Sequence, residues 1–422
     1  MLDIKFIREN PDLIKAAARK KRVDFDVNEL LKTDEERKNL LAKIEELRAK
    51  QNKISEKIPQ IKSDSEKQPL IESSRELKNE LSGRENEFKK LDEKWRDLML
   101  AAPNIPDPEV PEGESDAENK EIRKWGEPPK FDFPVKNHIA LMRDLNLLDL
   151  ERGAKVSGFR GYFLKGEGAL FSLALWELAF KILEKKGFTA VFAPALVREK
   201  NFIGTGWLPQ GKEEIYKTQD ELFLAGTAEV PMMGYHSDEI LKEEDLPFKY
   251  AVFSPCFRRE AGSYGKDASG IYRLHEFMKV EQVVLCRADH QESVKWHETI
   301  TKNSEELVQM LKLPYRVVMN CGGDLGQGQV KKYDIEVWVP SEKKYRESHS
   351  SSYFHDFQTR RLNIKYRGAD GKIRFAHSLN NTAVATPRIL ISLFENYQQK
   401  DGSIKIPEVL QKYAGKDIIK LR

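Results

Sequence analysis

From Asp34 onward, apolar residues recur at alternating steps of three and four. Leu40, Ile44, Leu47, Ile54 and Ile58 carry the pattern outward, with Gln51 in one slot. Leu70, Leu77, Leu81, Phe88, Leu91, Trp95 and Leu98 carry it back, with Ser74 and Arg84 as polar slots. A heptad stripe of this kind is stable only against a second stripe. The polar stretch QIKSDSEKQ lies between the halves, bracketed by Pro59 and Pro69. The halves therefore read as an antiparallel coiled-coil hairpin, each arm reaching roughly 40 Å at 1.5 Å per residue. Two slender helices bury little by themselves, so such an arm serves contact with something distant. Over residues 32–97 it carries 17 Lys/Arg against 16 Asp/Glu. That balance leaves open whether the partner is nucleic acid or protein.

Ahead of the arm, residues 1–30 hold a helical pattern on Ile4, Ile7, Leu13 and Ile14, interrupted at Asn10-Pro11. The basic cluster Lys15, Arg19, Lys20, Lys21 and Arg22 reads either as a solvated face or as a phosphate contact. Behind the arm, AAPNIPDPEVPEG at 101–113 is too rich in proline for helix and reads as a linker. The chain thus divides into a helical domain at 1–100 with its arm at about 34–100, a linker at 101–113, and a larger domain at 114–422. With 33% charged residues and mean hydropathy −0.61, the chain reads as soluble. The start MLDIKFIREN has no apolar signal core, so the expected location is the cytoplasm. Three scattered cysteines fit buried thiols rather than a disulfide frame.

The larger domain reads as α+β. Strands are expected at Phe159–Leu164, at FTAVFAPALV ending near Pro194, and at Leu222–Leu224, Tyr315–Met319 and Tyr333–Val339. Helices are expected at Glu167–Lys186, stopped by Gly187, and near Asp289–Leu313. Strands in runs with segregated helices imply an antiparallel sheet. No glycine-rich phosphate loop of either common kind is present, so a nucleotide would need another scaffold.

The richest chemistry lies in a strand–loop–strand from Phe253 to Leu285. Period two puts Arg273, His275, Phe277, Lys279 and Glu281 on one face, and Tyr272, Leu274, Glu276, Met278 and Val280 on the other. Arg258 and Glu260 share a face on the first strand. Arginine forks suit phosphate oxygens, an aromatic face suits a base, and an isolated carboxylate suits an ammonium group. Near the end, Thr386 reads as the N-cap and Pro387 as the first residue of a helix through Tyr397, with Arg388 in its first turn.

These stretches together resemble the class II aminoacyl-tRNA synthetases. The strand ending at Pro194, the Phe257-Arg258-Arg259-Glu260 hairpin through Glu281, and the late helix led by Arg388 match the three motifs of that class. With the coiled-coil hairpin added, the resemblance is to the bacterial-type seryl-tRNA synthetases and covers essentially the whole chain. It implies ATP-dependent activation of serine to seryl-adenylate, and transfer of serine to tRNA(Ser), with tRNA(Sec) as a second substrate. ATP would meet Arg258, Arg259, Glu260, Arg273, Arg388 and the segment Glu347, Ser348, His349 and Ser350. Phe277 would stack on adenine, with the backbone near Leu274 touching the base. Mg²⁺ would sit on Glu347 and Ser350. Serine would meet Thr227, Ala228, Glu229, Glu281 and Thr382. The arm would hold tRNA, and the motif with Pro194 would lie at a homodimer interface.

Two stretches depart from the family pattern. I-S-S-C-S-N after Glu347 is replaced by Ser348-His349-Ser350-Ser351-Ser352-Tyr353, which would bring His349 into the ATP end. T-L-N-G-S-G is replaced by Ser378-Leu379-Asn380-Asn381-Thr382-Ala383, adding a methyl at Thr382. Two other readings fit parts of the sequence: a paralogue that loads a small amino acid onto a protein carrier, and a non-enzymatic scaffold. The paralogue lacks the long arm, and the scaffold has no need of the motif residues.

Overall fold

The computed structural model describes residues 1–262, 267 and 269–420. The middle of the Phe253–Leu285 loop, residues 263–266 and 268, lies outside them. The chain forms two compact units, one of residues 2–19 and 23–103, the other of residues 1, 20–22 and 104–422.

The first unit is helical. Helix α1 (Ile4–Glu9) and helix α2 (Pro11–Lys20) meet at Asn10-Pro11, as the sequence predicts. Helix α3 (Val27–Lys57) starts seven residues before the heptads do, because the Asp26 carboxylate accepts from the backbone N–H groups of Asn28 and Glu29. Helix α4 (Asp64–Ala101) returns antiparallel. Pro69 lies inside it rather than closing the turn. The hydrogen bond it forgoes would have used the carbonyl of Ser65, an exposed residue whose C=O water can satisfy. The predicted stripe is the observed seam: Leu40 and Ile44 are buried, and the later positions are half-covered. Ion pairs Arg48–Glu85 at 2.6 Å and Lys94–Glu29 at 3.0 Å cross between the arms.

At the arm's base the buried Asp34 carboxylate accepts from Arg8 Nε at 2.6 Å and from the Trp95 indole at 3.1 Å. It ties three helices together through one side chain.

The second unit is built on an eight-stranded sheet. Its strands are β1 (Lys120–Trp125), β2 (Thr189–Phe192), β3 (Phe248–Phe257), β4 (Glu276–Cys286), β5 (Tyr315–Met319), β6 (Lys331–Val339), β7 (Lys344–His355) and β8 (His377–Thr386), in the spatial order β1-β5-β6-β7-β8-β4-β3-β2. Every pairing is antiparallel except that of edge strand β2 with β3. Helix α5 (Glu167–Lys185) packs its Phe171, Leu175 and Leu178 into the main core, and Gly187 at φ +77° follows its end. Further helices are α6 (Glu199–Thr205), α7 (Glu229–Tyr235), α8 (His290–Met310), α9 (Phe357–Leu362) and α10 (Arg388–Tyr397). The three cysteines are free and buried. No helix among the described residues is long and apolar enough to cross a membrane.

Several expectations need correction. The strand expected at Phe159–Leu164 shrinks to Phe163–Leu164, because Gly158 and Arg160 both take positive φ. Thr386 is not an N-cap; it ends β8, and its hydroxyl accepts from the Trp176 indole at 2.9 Å. Lys21 is neither a solvated charge nor a phosphate contact. Its buried ammonium donates to the carbonyls of Gly326, Gln327 and Gln329, and burial holds its pKa well below the lysine range. From Asn104 the Pro-rich stretch is tied down. The N–H groups of Asn104 and Asp107 donate to the carbonyls of Gln327 and Val330, and the Asn104 amide donates to Gly328 and Phe354.

Asp34→Ala leaves the half-buried Arg8 and Trp95 donors without their shared acceptor. It should destabilise the helical unit by about 2 kcal/mol, seen as faster amide hydrogen exchange across residues 27–101 of the full-length chain. Unchanged exchange there would remove Asp34 as the tie.

Candidate active site

A cleft of about 480 Å³ opens on one face of the large sheet. Strands β4, β6, β7 and β8 and their ends supply its floor. Strand β4 begins only at Glu276, so period two holds from there, and Phe277, Lys279 and Glu281 all face the cleft. Before Glu276 the chain is irregular, which changes the expected faces. Tyr272 and Leu274 join the cleft, whereas His275 turns away, its Nδ1 3.0 Å from the carbonyl of Arg258. Arg258 and Glu260 lie past the end of β3 and both line the cleft. Glu260 reaches it at φ +54°.

Two β-bulges do what a regular strand cannot. Residues three apart on a strand point to opposite faces. On β7 the register steps from His349 opposite Ile335 to Glu347 opposite Glu336, so Ser348 is the extra residue. Glu347 and Ser350, three apart, thereby both face the cleft. On β8, Ala383 is extra between Thr382 opposite Glu281 and Val384 opposite Val280, so Thr382 and Ala385 share the cleft face.

One end of the cleft is acidic. Glu281 is buried, accepts from the Thr227 hydroxyl at 2.6 Å and pairs with the Lys279 ammonium, which also donates to Thr227 at 2.9 Å. Glu229, the first residue of α7, is buried beside them and accepts from the Gln358 amide. Burial pushes the Glu229 carboxyl up to about 7, and the Glu281 charge adds to the rise against the hydrogen bond from Gln358. Two carboxylates facing one ammonium leave a place for a second cation. Thr382 lies across from Glu281 in the β8–β4 register.

The other end is basic. The Arg258 guanidinium sits 5.4 Å from the Phe277 ring centroid. Arg388 lies 4.4 Å over the Tyr272 ring, donates to the Tyr272 carbonyl at 3.2 Å and reaches Glu347 at 3.3 Å. Tyr272 donates its hydroxyl to the Glu347 carbonyl at 2.8 Å. Lys332 faces the same space and pairs with Asp334 at 3.2 Å. Burial works to raise the Glu347 carboxyl, yet the charges of Arg388, Lys332, Arg258 and Arg273 hold it below the usual range.

Four residues named from sequence do not line the cleft. Arg259 is exposed and pairs with Glu213 at 3.6 Å. Arg273 turns to Glu260 at 2.7 Å and to Asp267 at 3.8 Å. Ala228 is buried at the start of α7. His349 does not enter the basic end. The bulge at Ser348 sends it to the opposite face, where it is buried against Ser348 Oγ at 2.6 Å, with burial lowering its pKa to about 4. In return the fold adds Lys279, Lys332, Trp207 and Tyr272 to the lining, and Gln358 behind Glu229. Only Lys279 was visible beforehand, by its period with Phe277 and Glu281. The others come from loops, from α9 and from a neighbouring strand.

Comparison with known proteins places the whole chain in one family. Residues 213–397 match the family model for the tRNA synthetase class II core domain (G, H, P, S and T), and residues 1–106 match that for the seryl-tRNA synthetase N-terminal domain. The chain is 45% identical to serine–tRNA ligase of Deinococcus radiodurans over 98% of both chains, and 44% identical to that of Caldicellulosiruptor saccharolyticus over the full length of both. Its structure matches seryl-tRNA synthetase from Pyrococcus horikoshii complexed with ATP, with TM-score 0.91 and 41% identity over all of both chains. It also matches the cytoplasmic serine-tRNA ligase of Naegleria fowleri in complex with AMP, with TM-score 0.87 and 34% identity over 100% of this chain and 99% of that one. The chain belongs to the seryl-tRNA synthetases, class II enzymes that activate serine with ATP and charge it onto tRNA.

Proposed function

We propose that the two ends of this cleft divide the reaction between them, the acidic end taking serine and the basic end taking ATP. The observation that carries this reading is the order along β4, where Phe277, Lys279 and Glu281 follow one another on one face. Phe277 to Glu281 spans roughly 13 Å of strand, room for an adenine at one end and an amino acid at the other. Phe277 stacks on the base, with the chain near Leu274 touching it. Arg258 and Arg388 meet the phosphates, and Glu260 and Arg273 hold each other beside them. Glu229 takes the serine ammonium, while Thr227, Glu281 and Thr382 surround the side-chain hydroxyl.

The chemistry then needs no protein nucleophile. The serine carboxylate attacks the α-phosphorus, pyrophosphate leaves, and seryl-adenylate remains. The terminal ribose hydroxyl of the tRNA next attacks the seryl carbonyl and releases AMP. Positioned arginines stabilise the charge that grows on the phosphoryl oxygens. Glu347 and Ser350 are two hard oxygen donors on one face, and a magnesium ion held there would finish its shell with water and phosphate oxygens. Among the described residues no cluster of three His, Cys, Asp or Glu side chains could hold a metal alone, which suits an ion that arrives with ATP. It would neutralise phosphate charge.

The arm of the helical unit holds tRNA(Ser) in this reading, and tRNA(Sec) follows from family likeness. The enzyme works in the cytoplasm as a homodimer. Support for the dimer comes from an apolar groove of Leu173, Trp176, Phe180, Phe192 and Phe253 beside edge strand β2. Phe192 is 78% exposed and Leu173 54%, an unusual amount of apolar surface in one place.

Arg258→Ala should slow serine-dependent ATP–pyrophosphate exchange by about 10²–10³, the loss of roughly 3–4 kcal/mol of transition-state stabilisation, with circular dichroism unchanged. Near-normal exchange in the folded variant would refute the assignment.

Glu229 supplies a pH signature. Its carboxyl is neutral below about 7 and charged above, and only the charged form pairs with an ammonium. kcat/KM for serine should therefore rise with pH through about 7 and then level. In Glu229→Gln the rise should vanish and the value stay low at every pH.

Phe192→Glu should convert a dimer to a monomer in light scattering. A wild-type chain that is monomeric at micromolar concentration would remove the dimer.

A further inference from the structure

One wall of the cleft is a turn of four residues, Gly326, Gln327, Gly328 and Gln329, all of which line it. The turn lies in neither helix nor strand, so its carbonyls need donors from elsewhere. Two residues behind it supply them. Lys21 donates to Gly326 at 3.2 Å, to Gln327 at 2.8 Å and to Gln329. Asn104 donates its N–H to Gln327 at 2.9 Å and its side-chain amide to Gly328 at 2.9 Å. An ammonium has three N–H bonds, and here each meets a carbonyl of the same turn. Both residues are buried, and neither lines the cleft. The seat is tight. Lys21 lies in a short stretch, residues 20–22, that belongs to the second unit. A Cβ at Gly322 would come within 2.3 Å of the Lys20 carbonyl, so the chain fits there only beside glycine.

We propose that Lys21 and Asn104 are positioning residues for serine, which grip the carbonyl side of the 326–329 turn and so set where its other side stands against the acidic end of the cleft. This rests on the assignment of that end to serine. Two contacts tie the turn to it. The Gln329 amide donates to the Ser352 hydroxyl at 2.8 Å. Ser352 lies opposite Asn380 in the β7–β8 register, two residues before Thr382, and both Asn380 and Thr382 face the cleft. On the other side, Gly328 packs so closely on Phe357 that a Cβ would come within 2.8 Å of the ring. Phe357 opens α9, and the next residue, Gln358, donates to Glu229. A shift of the turn therefore reaches the Thr382 side and the Glu229 side together. Arg258 and Arg388, at the basic end, have other anchors in Gly226, Tyr272 and Glu347.

Lys21→Met keeps the length of the side chain and loses all three donors. It should raise KM for serine about tenfold and leave KM for ATP within about twofold, short of the roughly 10² that a 1 Å misplacement at the reacting groups can cost. Asn104→Leu frees the Gly328 carbonyl and should move KM for serine in the same direction, by less. Both are read by pyrophosphate exchange on the full-length enzyme, with thermal melts as the control for folding. Glu229→Gln runs beside them as the mark of the serine end. If Glu229→Gln raises KM for serine and Lys21→Met leaves it unmoved, the proposal is overturned and the serine assignment stands. If Lys21→Met raises both KM values equally, the residue is only structural and the proposal is again overturned. Should Lys21→Met fail to fold, Asn104→Leu decides by the same two criteria. If Glu229→Gln leaves KM for serine unmoved, the serine assignment falls and takes the proposal with it.

Discussion

Glu281 is a carboxylate buried in the middle of an eight-stranded sheet, and a charge in that position must be paired. Lys279 on the same face pairs with it, and Thr227 from a neighbouring loop bonds to both. Stripping a partner from a buried pair of this kind costs about 3–5 kcal/mol. The triad therefore pins the loop before α7 to β4. Everything at the acidic end hangs on that pin, including Glu229 two residues after Thr227. The apolar body of the sheet and of α5 keeps the strands from sliding, and so keeps the triad in register.

The same sheet explains how a short site can hold two unlike substrates. A strand face presents a side chain every second residue, which alone would give a simple ladder. The bulges at Ser348 and Ala383 break the ladder on β7 and β8, the two strands next to β4 on one side. Each bulge lets residues three apart share a face. Glu347 with Ser350, and Thr382 with Ala385, reach the cleft for that reason. The price is an ordered defect in each strand, with His349 left buried on the far face.

The arm obeys a different logic. Its seam is only half-covered beyond Ile44, so it is held by modest packing, cross-arm ion pairs and the Asp34 tie at its base. Exposed ion pairs are worth little each. Such an arm is stable enough to keep its shape and thin enough to reach along a large partner, which fits an enzyme that charges tRNA.

Periodicity alone determined the hairpin, its seam, and the face of Phe277, Lys279 and Glu281, because helix and strand geometry repeat with fixed steps along the chain. The family resemblance marked Glu260, Glu347 and Ser350 as well as Arg258 and Arg388, since its motifs are local stretches of chain. What the tertiary structure decided lies where local rules stop. A bulge is a mismatch between two strands, so neither strand's sequence announces it. That is why His349 was expected at the ATP end and lies on the other face. Period two was also extended backward through Arg273 and Tyr272, where the chain has already left the strand. Lys21 looked like a surface cation until three carbonyls from residues 326–329 closed around it. Gln358 meets Glu229 across 129 residues of chain, and contact at that separation is a property of the folded chain alone.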